Sequence, residues 1–451
     1  MTPRTSFALS SPLLTDLYQL TMLQSYFDGG MRGEAVFEFF VRRLPPTRNF
    51  LVAAGLEQLV DYLTSLRFDA ADLEHLAATG LFHDRFLAEL ERLRFTGDVD
   101  AMPEGTICFP NEPIVRVTAP LPEAQFVETR LINLLHFQTM IASKAARFVL
   151  AARGKGLVDF GFRRAHGAEA GVLAARACYL AGFDGTATVL ANPLFGIPIF
   201  GTMAHSYIEA HESEIAAFEH FVRDYRGNAV LLIDTYDTEA AAERVVELAK
   251  RLVGQRRSIA SVRIDSGNLD ALSRSVRRIL DRAPGARIGI FVSGGLDEHD
   301  VARLLENGAP IDGFGIGTAL DVSSDAPSLD CAYKLQEYQG RPRGKRSPGK
   351  ATLPGRKQVF RRYTADGRFE RDIVALVDDP QDGEPLLVPV MRNGKPIAEP
   401  HGGLDEARRR CRESLERLPQ AYASLDRAPP FPVEIDPAIE RLAAQIRATS
   451  T

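Results

Sequence analysis

The chain has few cysteines, no long apolar run and no excess of charge of one sign. Its four cysteines lie far apart and form no Cys-x-x-Cys pair, so zinc-ribbon spacing and a disulfide framework are both excluded. No stretch reaches the roughly 18 apolar residues of a membrane helix. With 54 basic and 59 acidic residues, the net charge is -5, whereas a duplex nucleic-acid binder usually shows a basic face. These absences predict a cytoplasmic protein without nucleic acid or membrane as partner.

The N-terminus has no sustained apolar segment, which argues against a secretory signal. A length of 451 residues with 45% hydrophobic content predicts two or three globular domains. Residues 1–130 mix helical and β-rich segments and predict an α+β domain. Residues 131–336 predict the central domain, and residues 337–451 a basic loop followed by a small extension.

Outside the central domain, helices are predicted at 11–27, 50–63, 72–93, 404–418 and 437–449. A long helix at 123–152, with a break in it, leads into the central domain. Strands are predicted at 35–41, in short pieces between 95 and 117, at 373–376 and at 386–390.

In the central domain, apolar runs alternate with helical stretches. The runs lie at 157–160, 187–190, 198–203, 230–233, 259–264, 288–292 and 313–316. The helices are predicted at 168–181, 207–225, 238–252, 269–282 and 298–306. Such alternation indicates parallel β-α-β units, and six or seven of them predict an irregular (β/α) barrel. A doubly wound open sheet is the alternative, but no Gly-x-Gly-x-x-Gly opens a helix after the first strand.

Polar and glycine residues follow these runs, where a barrel gathers its functional groups. Two glycine turns end the last two strands, at 293–295 and 317–318, and backbone N–H groups in such turns can hold a phosphate. The alternative is that glycine only turns the chain there.

Charged side chains occupy other strand ends. Arg163 and Arg263 can hold a carboxylate or phosphate in a bidentate manner, or else form structural pairs with Asp159 and Asp265. His205 is either a structural residue or a base or nucleophile toward phosphorus.

Two further segments carry charge without a decided role. The segment LLIDTYDT at 231–238 is superficially similar to the acidic loop of the common phosphoribosyltransferases, but Glu239 follows instead of a phosphate turn, so this match is rejected. The segment 340–362 holds nine Lys and Arg residues and no acid. It predicts a loop that either grips a polyphosphate or is merely solvated.

Eight strings together resemble nicotinate phosphoribosyltransferase, in order, over about residues 10–365. They are TDLYQLTM at 15–22, EFFVRRLP at 38–45, DFGFRRAHG at 159–167, FGTMAHS at 200–206, VRIDSGNL at 262–269, FVSGGLDE at 291–298, GFGIGT at 313–318 and SPGKATLPGRKQVFR at 347–361. Each string alone is weak, whereas the ordered set is highly specific.

The resemblance implies an N-terminal sandwich domain, an irregular α/β barrel, a C-terminal extension and a homodimer with active sites at its interface. It implies a reaction between nicotinate and 5-phosphoribosyl 1-diphosphate that yields nicotinate mononucleotide and diphosphate. The ligase-type reaction is coupled to ATP hydrolysis through a phosphohistidine, requires Mg²⁺ and serves NAD salvage.

The resemblance also implies roles around the pyridine ring. Tyr18 would stack on the ring across the dimer interface, and Phe160 would cover its opposite face. Thr202 and Arg263 match positions of the nicotinate pocket. Arg163 would bind the carboxylate of nicotinate or the diphosphate.

The remaining roles concern phosphate and ribose. His205 matches the phosphorylated histidine, and Asp265 matches the acid near the ribose hydroxyls, so that with Arg263 these form the expected catalytic set. The metal ligands are left open. The residues expected to hold the 5-phosphate are Ser293, Gly294, Gly295, Gly317 and Thr318.

One position bears on the choice of pyridine. Relatives that use nicotinamide carry Asp after a Gly-Thr in the strand that follows the first β-α unit, whereas Ala187 follows Gly185 and Thr186 here. An Asp there would repel the nicotinate carboxylate. The rival readings are a phosphoribosyltransferase for nicotinamide or quinolinate, and a non-catalytic barrel that binds phosphorylated metabolites.

Overall fold

The structure is a computed structural model that describes residues 11–225, 229–285, 287–345, 352–397 and 402–449. It divides into two compact units. The first takes the residues up to Met140 together with those from Ser328 onwards, and the second runs from Ile141 to Pro327.

The helices and strands are as follows, in chain order. The first unit begins with α1 (Leu17–Asp28), β1 (Glu34–Val41), β2 (Leu51–Val52), α2 (Leu56–Ser65), α3 (Ala70–Ala78), α4 (Asp84–Arg92), β3 (Asp98–Ala101), β4 (Ile107–Cys108), β5 (Val115–Pro120) and α5 (Leu121–Phe126). Helix α6 (Glu128–Ala152) contains the boundary between the units. The second unit continues with β6 (Gly156–Asp159), a 3-10 helix (Phe162–Arg164), α7 (Ala168–Ala181), β7 (Gly185–Thr186), α8 (Ala191–Phe195), α9 (His205–Glu209), α10 (Glu214–Asp224), β8 (Ala229–Leu232), α11 (Thr238–Arg251), β9 (Ile259–Ile264), α12 (Leu269–Leu280), β10 (Gly289–Val292), α13 (Glu298–Glu306), β11 (Gly313–Ile316) and α14 (Thr318–Asp321). The first unit is completed by β12 (Cys331–Tyr338), β13 (Arg341–Pro342), β14 (Lys357–Tyr363), β15 (Phe369–Leu376), β16 (Glu384–Pro385), β17 (Val388–Arg392), β18 (Lys395–Pro396), α15 (Gly403–Arg417), β19 (Val433–Ile435) and α16 (Pro437–Thr449).

The first unit is built on sheets whose strands come from both ends of the chain. A seven-stranded sheet has the order β13-β12-β1-β5-β3-β17-β18, and a four-stranded sheet has the order β16-β14-β15-β19. Strand β1 pairs antiparallel with β12 and β5, and after its first residue every position is buried. This explains why β1 reads as a continuous apolar segment rather than an alternating one. The unit confirms a mixed helix and strand domain.

The second unit confirms the irregular α/β barrel. Its six parallel strands have the order β7-β6-β11-β10-β9-β8, so the last strand of the unit, β11, pairs with the first, β6. Pairing of last with first strand is the closure of a barrel, and a doubly wound open sheet does not contain it. Among the described residues, β7 and β8 do not pair with each other, which leaves one open seam.

The strands predicted at 187–190 and 198–203 are wrong. The chain leaves the sheet after Thr186, whose hydroxyl accepts a hydrogen bond from the Thr188 backbone N–H at 3.0 Å. The apolar run then continues into α8. In the second run only Ile199 is bridged to the sheet. Apolar character alone therefore did not distinguish sheet residues from exposed ones.

Two predicted helices are each interrupted in the structure. The stretch 207–225 forms α9 and α10, because the Ser213 hydroxyl caps a new helix by accepting the N–H three residues on. The stretch 72–93 forms α3 and α4, because His83 Nδ1 accepts the Phe86 N–H and starts α4 in the same way. The predicted break in 123–152 is confirmed, between α5 and α6.

The predicted N-terminal helices begin later than expected. Helix α1 begins after Asp16 rather than at residue 11. In the stretch 50–63, the helix begins only after Gly55, which has a φ of 97°. The Gly55 and Leu56 N–H groups donate to Glu104 Oε1, so an acid 49 residues away caps α2.

The basic segment 340–362 is not a simple loop. Its last residues form β14, where Lys357 Nζ lies 2.7 Å from Glu38 Oε2 and Arg361 Nη2 lies 2.6 Å from Asp372 Oδ2. All four side chains of these two ion pairs are buried. Lys357 and Arg361 are therefore neutralised inside the unit and do not belong to a phosphate grip.

Two predictions fall partly outside the described residues. These are the absence of a signal at the N-terminus, which involves residues 1–10, and the part of the basic segment at 346–351. Within the described ranges, no helix is both long and apolar enough to span a membrane.

Candidate active site

The carboxyl ends of the barrel strands collect the polar residues of the second unit. Strand β6 ends at Asp159, β9 is followed by Asp265, and β10 is followed by Ser293. Since all six strands are parallel, these ends lie at one edge of the sheet. Helices α11, α12 and α13 start just beyond this edge with Asp or Asn caps, which end each loop at a defined place.

Arg263 is the central cation of this edge. Its Nη1 donates a 2.5 Å hydrogen bond to the Thr202 hydroxyl, and its Nε lies 4.0 Å from Asp265 Oδ1. Burial lowers the pKa of the guanidinium, Arg163 lowers it further, and Asp265 and Asp234 raise it. The Arg263 Nε is buried without a hydrogen-bond partner among the described residues. The structure thus brings Arg163, Arg263 and Thr202 together around a free donor that suits an anion.

The alternative interpretation expected structural ion pairs between Arg163 and Asp159 and between Arg263 and Asp265. Only the second pair is close in the structure. Asp159 does not pair with Arg163; it accepts hydrogen bonds from Gly161 N and the Thr186 hydroxyl. Asp265 lies close to Arg263, at a distance longer than a direct hydrogen bond.

His205 is the first residue of α9 and is half-buried. Its Nδ1 lies 3.1 Å from the Thr235 hydroxyl, which follows β8. Its Nε2 has no hydrogen-bond partner among the described residues. With the Nδ1 proton donated to Thr235, Nε2 keeps the lone pair that a nucleophile needs.

Asp234 is a site residue to which the sequence analysis assigned no role. Its Oδ2 accepts hydrogen bonds from the Asp265 backbone N–H at 2.9 Å and from the Ser266 hydroxyl at 2.6 Å. Asp265 Oδ1 in turn accepts from the Ser293 hydroxyl. This chain of bonds orients Asp265. Its signal in the sequence was the strand-end position, shared by Asp234 and Thr235.

The turn at 293–295 requires glycine at one position above all. Gly294 has a φ of 105°, and a Cβ there would clash with the Asp265 backbone oxygen. The turn at 293–295 and the Asp265 loop are therefore held at backbone contact. Gly317 and Thr318 begin α14 after β11, on the other side of β10.

The aromatic part of the site lies over two glycines. The Phe160 ring would overlap a Cβ at Gly315, and the Phe291 ring would overlap one at Gly313. The two ring centroids are 5.9 Å apart. Phe160, Phe291 and Thr202 line a cavity of about 520 Å³ inside the barrel, large enough for a small aromatic ring.

Tyr18 is not among the residues that the second unit brings together. It lies on α1 of the first unit, and its side chain is 48% exposed. Burial, Glu128 and Asp16 raise the pKa of its phenol, so it stays neutral.

Among the described residues, no group of three or more His, Cys, Asp or Glu side chains is arranged to hold a metal ion by itself. Mg²⁺ is more often held by one or two carboxylates together with substrate phosphates. Asp234 Oδ1 is buried without a hydrogen-bond partner within the described ranges. Asp234 and Asp265 therefore fit an ion that arrives with a diphosphate.

The fold and the site define an α/β barrel whose strand ends carry glycine turns, a buried arginine with a free donor and an aromatic-lined cavity. Comparison with known proteins identifies the family. Residues 13–136, 156–342 and 379–443 match the N-terminal domain, family and C-terminal domain models of nicotinate phosphoribosyltransferase.

Three relatives indicate how far the likeness extends. The nicotinate phosphoribosyltransferase pncB2 of Mycobacterium tuberculosis is 50% identical over 440 residues, covering 97% of this chain and 94% of that protein. The Bacillus subtilis nicotinate phosphoribosyltransferase is 39% identical over 379 residues, covering 82% of this chain and 77% of that one. The crystal structure of human nicotinic acid phosphoribosyltransferase matches with a TM-score of 0.81 at 30% identity, covering 96% and 99% of the two chains. The chain belongs to the nicotinate phosphoribosyltransferase family, a family of NAD biosynthesis.

Proposed function

We propose that the chain joins nicotinate to 5-phosphoribosyl 1-diphosphate, and that this synthesis is coupled to ATP hydrolysis through His205. The observation that carries the proposal is the hydrogen bond from Arg263 to Thr202, since Thr202 lines the cavity together with Phe160 and Phe291. A buried cation with a free donor next to an aromatic wall suits a pyridine carboxylate.

The transfer step requires little proton chemistry. The C1–O bond breaks with its electron pair going to diphosphate, and the pyridine nitrogen forms the new bond to C1 with its lone pair. Because that nitrogen carries no proton, no general base is needed. Asp265, oriented by Ser293 and Asp234, lies where a carboxylate can stabilise positive charge on the ribose. Bound Mg²⁺ would neutralise charge on the leaving diphosphate.

The two glycine turns are proposed to bind the 5-phosphate of the ribose. Ser293, Gly294 and Gly295 follow β10, and Gly317 and Thr318 follow β11. These strands are neighbours in the sheet, so the two turns approach a single anion from adjacent strands.

In the ATP half-reaction, His205 Nε2 attacks the γ-phosphorus and the bond to ADP breaks. Water later hydrolyses the phosphohistidine and releases inorganic phosphate. The Nδ1 contact with Thr235 supports this role, since it presents Nε2 with its lone pair.

A homodimer is part of the proposal. Large apolar side chains clustered in one short stretch of the second unit are between 45% and 68% exposed, which is typical of a surface that a partner covers. They are Val189, Leu190, Leu194, Ile199 and Phe200. Phe200 and Ile199 also line the barrel cavity, so a covering partner would lie beside the ring site. The partner's Tyr18 is proposed to stack on the pyridine.

The direct test incubates the purified protein with γ-labelled ATP, nicotinate and phosphoribosyl diphosphate. We expect nicotinate mononucleotide and acid-labile protein phosphate to appear together. The His205→Ala variant should lose ATP stimulation and protein label but retain weak ATP-independent synthesis. His299→Ala, which changes an exposed histidine on α13, serves as the matched control and should keep both.

The same assay separates the alternatives. Unchanged ATP stimulation in His205→Ala would contradict the phosphohistidine role. Nucleotide formed only from nicotinamide or quinolinate would overturn the substrate assignment. No nucleotide and no ATP hydrolysis with any of the three pyridines would favour a barrel that only binds phosphorylated metabolites.

A further inference from the structure

Two buried carboxyl groups meet beneath the turn that carries Phe160 and Arg163. Asp159 ends β6 and is 1% exposed, and Asp321 ends α14 and is 2% exposed. The two carboxyl groups lie close enough for each to influence the pKa of the other. One belongs to the strand that leads into the proposed pyridine site, and the other to the helix that follows Gly317 and Thr318.

Gly161 reveals how closely the two elements approach. A Cβ at this position would overlap the Asp321 carboxyl group. The φ of Gly161 is −88°, which other residues adopt without strain, so the reason for glycine is the close approach rather than the backbone conformation. The turn therefore rests directly on the Asp321 carboxyl group.

The two acids differ in their hydrogen-bond partners. Asp159 accepts from Gly161 N at 2.7 Å and from the Thr186 hydroxyl at 2.6 Å, as a carboxylate does. Neither oxygen of Asp321 has a hydrogen-bond partner among the described residues. Burial, together with the nearby Asp159 carboxyl group, raises the pKa of Asp321 to about 9.

The surroundings contain no counter-charge that would undo this arrangement. Among the described residues, no Lys or Arg forms an ion pair with either carboxyl group. The other titratable side chain facing the pair is the buried Cys178 of α7, and burial with both acids raises the pKa of its thiol, which keeps it neutral. Arg163 and Arg164 of the turn are exposed.

We propose that Asp321 is a positioning residue that joins the two halves of the substrate site. Through a hydrogen bond from its protonated carboxyl group to the Asp159 carboxylate, it holds the turn of Phe160 and Arg163 against the turn of Gly317 and Thr318. The assignment of nicotinate to the first turn and of phosphate to the second rests on the proposed function.

A pH dependence follows, and its direction is fixed by the raised pKa of Asp321. An unfolded Asp titrates near its ordinary value of 3.8, while the folded residue titrates at about 9. The stabilisation is therefore complete below the unfolded value and is lost as the pH rises toward about 9. Above that pH both acids are charged, they repel each other, and the two turns separate.

The test compares wild type with Asp321→Asn and Asp321→Ala across neutral and alkaline pH. In wild type, the KM for nicotinate and the KM for phosphoribosyl diphosphate should rise together as the pH passes about 9. Asp321→Asn keeps an N–H donor that does not titrate, so both KM values should stay near those of neutral wild type. Asp321→Ala should raise both KM values by about tenfold at neutral pH, since Asp159 loses a charge-assisted hydrogen bond.

Asp281→Asn is the matched control, because it makes the same change at an exposed carboxylate on the same unit. It should keep the alkaline rise of both KM values. Superimposable pH profiles for wild type and Asp321→Asn, or a rise in the KM of only one substrate, would overturn the proposal. Equal KM values for the Asn and Ala variants at neutral pH would overturn it as well.

A second measurement does not depend on activity. The infrared difference between wild type and Asp321→Asn at neutral pH should contain the C=O band of a protonated carboxyl group, and this band should vanish above about pH 9. Its absence would overturn the shared proton even in an active enzyme. If the band is present but the protein forms no nucleotide, the contact between Asp321 and Asp159 is supported and the proposed function is wrong.

Discussion

At the residue scale, the Arg263 guanidinium is buried, but not all of its N–H donors have a hydrogen-bond partner among the described residues. One hydroxyl accepts from it, Asp265 lies 4.0 Å away, and its Nε has no partner among the described residues. A buried donor without a partner has a free-energy cost that a bound anion removes. This supports the proposed role of Arg263 in binding a carboxylate.

Replacing Arg263 by Gln tests this reading. The KM for nicotinate should rise by about 10- to 100-fold, because a charge-assisted hydrogen bond is worth about 1.5–3 kcal/mol. The kcat should change much less, and steady-state kinetics with varied nicotinate will separate the two. Arg278→Gln, an exposed change on α12, should leave the KM unaltered. A KM effect confined to phosphoribosyl diphosphate would reassign Arg263 to the other substrate.

Ala187 offers a test of the choice between acid and amide. It is exposed and directly follows β7, where its N–H donates to the Asp159 backbone oxygen at 2.8 Å. Ala187→Asp should lower kcat/KM for nicotinate by at least about tenfold through repulsion of its carboxylate, and should improve the use of nicotinamide. Ala187→Asn has the same size without the charge and is the control. If the two variants behave alike, charge at this position does not select the substrate.

At the element scale, neighbouring glycines in one strand-end turn differ sharply in whether a side chain would fit there. Within the turn at 293–295, Gly294 contacts the Asp265 loop, whereas a Cβ at Gly295 would meet no atom within 4 Å. Two adjacent glycines with positive φ thus differ in the space around them. Gly294 is therefore required because a side chain would clash, whereas Gly295 is favoured only by its positive φ.

Gly294→Ala should raise the KM for phosphoribosyl diphosphate and lower the free energy of unfolding by roughly 1–3 kcal/mol, as expected for strain at a special backbone position. Gly295→Ala should cost at most about 1 kcal/mol, since only its φ of 69° is unfavourable. Denaturant unfolding and substrate kinetics measure the two quantities. Equal effects of both variants would contradict the close approach of Gly294 to Asp265.

At the scale of the whole second unit, a buried ion network joins α6 to the start of α13. Lys144 Nζ lies 2.6 Å from Glu298 Oε2, and Arg147 Nε lies 2.8 Å from Glu298 Oε1. All three side chains are at most 4% exposed. Burial alone would raise the pKa of Glu298, but Lys144 and Arg147 lower it below its ordinary value.

Glu298→Gln should lower the unfolding midpoint by roughly 5–10 °C, since Arg147 loses the charge of this buried acid and Lys144 keeps only Asp325, 3.1 Å away, as an acidic partner among the described residues. Because the pKa of Glu298 is depressed, its contribution is complete above the ordinary value of 4.5 and disappears as the pH falls further. Calorimetry at several pH values measures both effects. Glu306→Gln removes an exposed pair with Arg153 and should leave the midpoint within error. A Glu298→Gln variant as stable as wild type would contradict the network.

Much of the barrel was predictable because its helices and strands are locally encoded. The bounds of α7, α13, β9 and β11 agree with the sequence predictions, since apolar periodicity and capping residues define them. The helix predicted at 207–225 failed because a single capping serine restarts the chain. The prediction that the whole basic segment is a loop failed because of a distant residue. Glu38, which pairs with Lys357, lies 319 residues away in the chain.

The candidate site was predictable in a similar measure. The strand-end positions of Asp265, Arg163 and Arg263 follow from the alternation of strands and helices alone. That of His205 does not, because the run at 198–203 before it is not a strand and His205 begins α9. The role of Asp234 could not be predicted from the sequence pattern. It depends on hydrogen bonds to the Asp265 loop, 31 and 32 residues away. Hydrogen bonds between loops of different strands leave no periodic trace in a sequence.

The sequence by itself determined the family, the parallel barrel and the set of residues at its strand ends, because these depend on local patterns and ordered motifs. Only the tertiary structure decided that β11 closes on β6 and that Asp321 lies against Asp159, 162 residues apart in number. It also decided that burial and the neighbouring Asp159 raise the pKa of Asp321. A protonation state depends on the burial and hydrogen bonds that all neighbours together impose, and those neighbours come from four different elements of the chain.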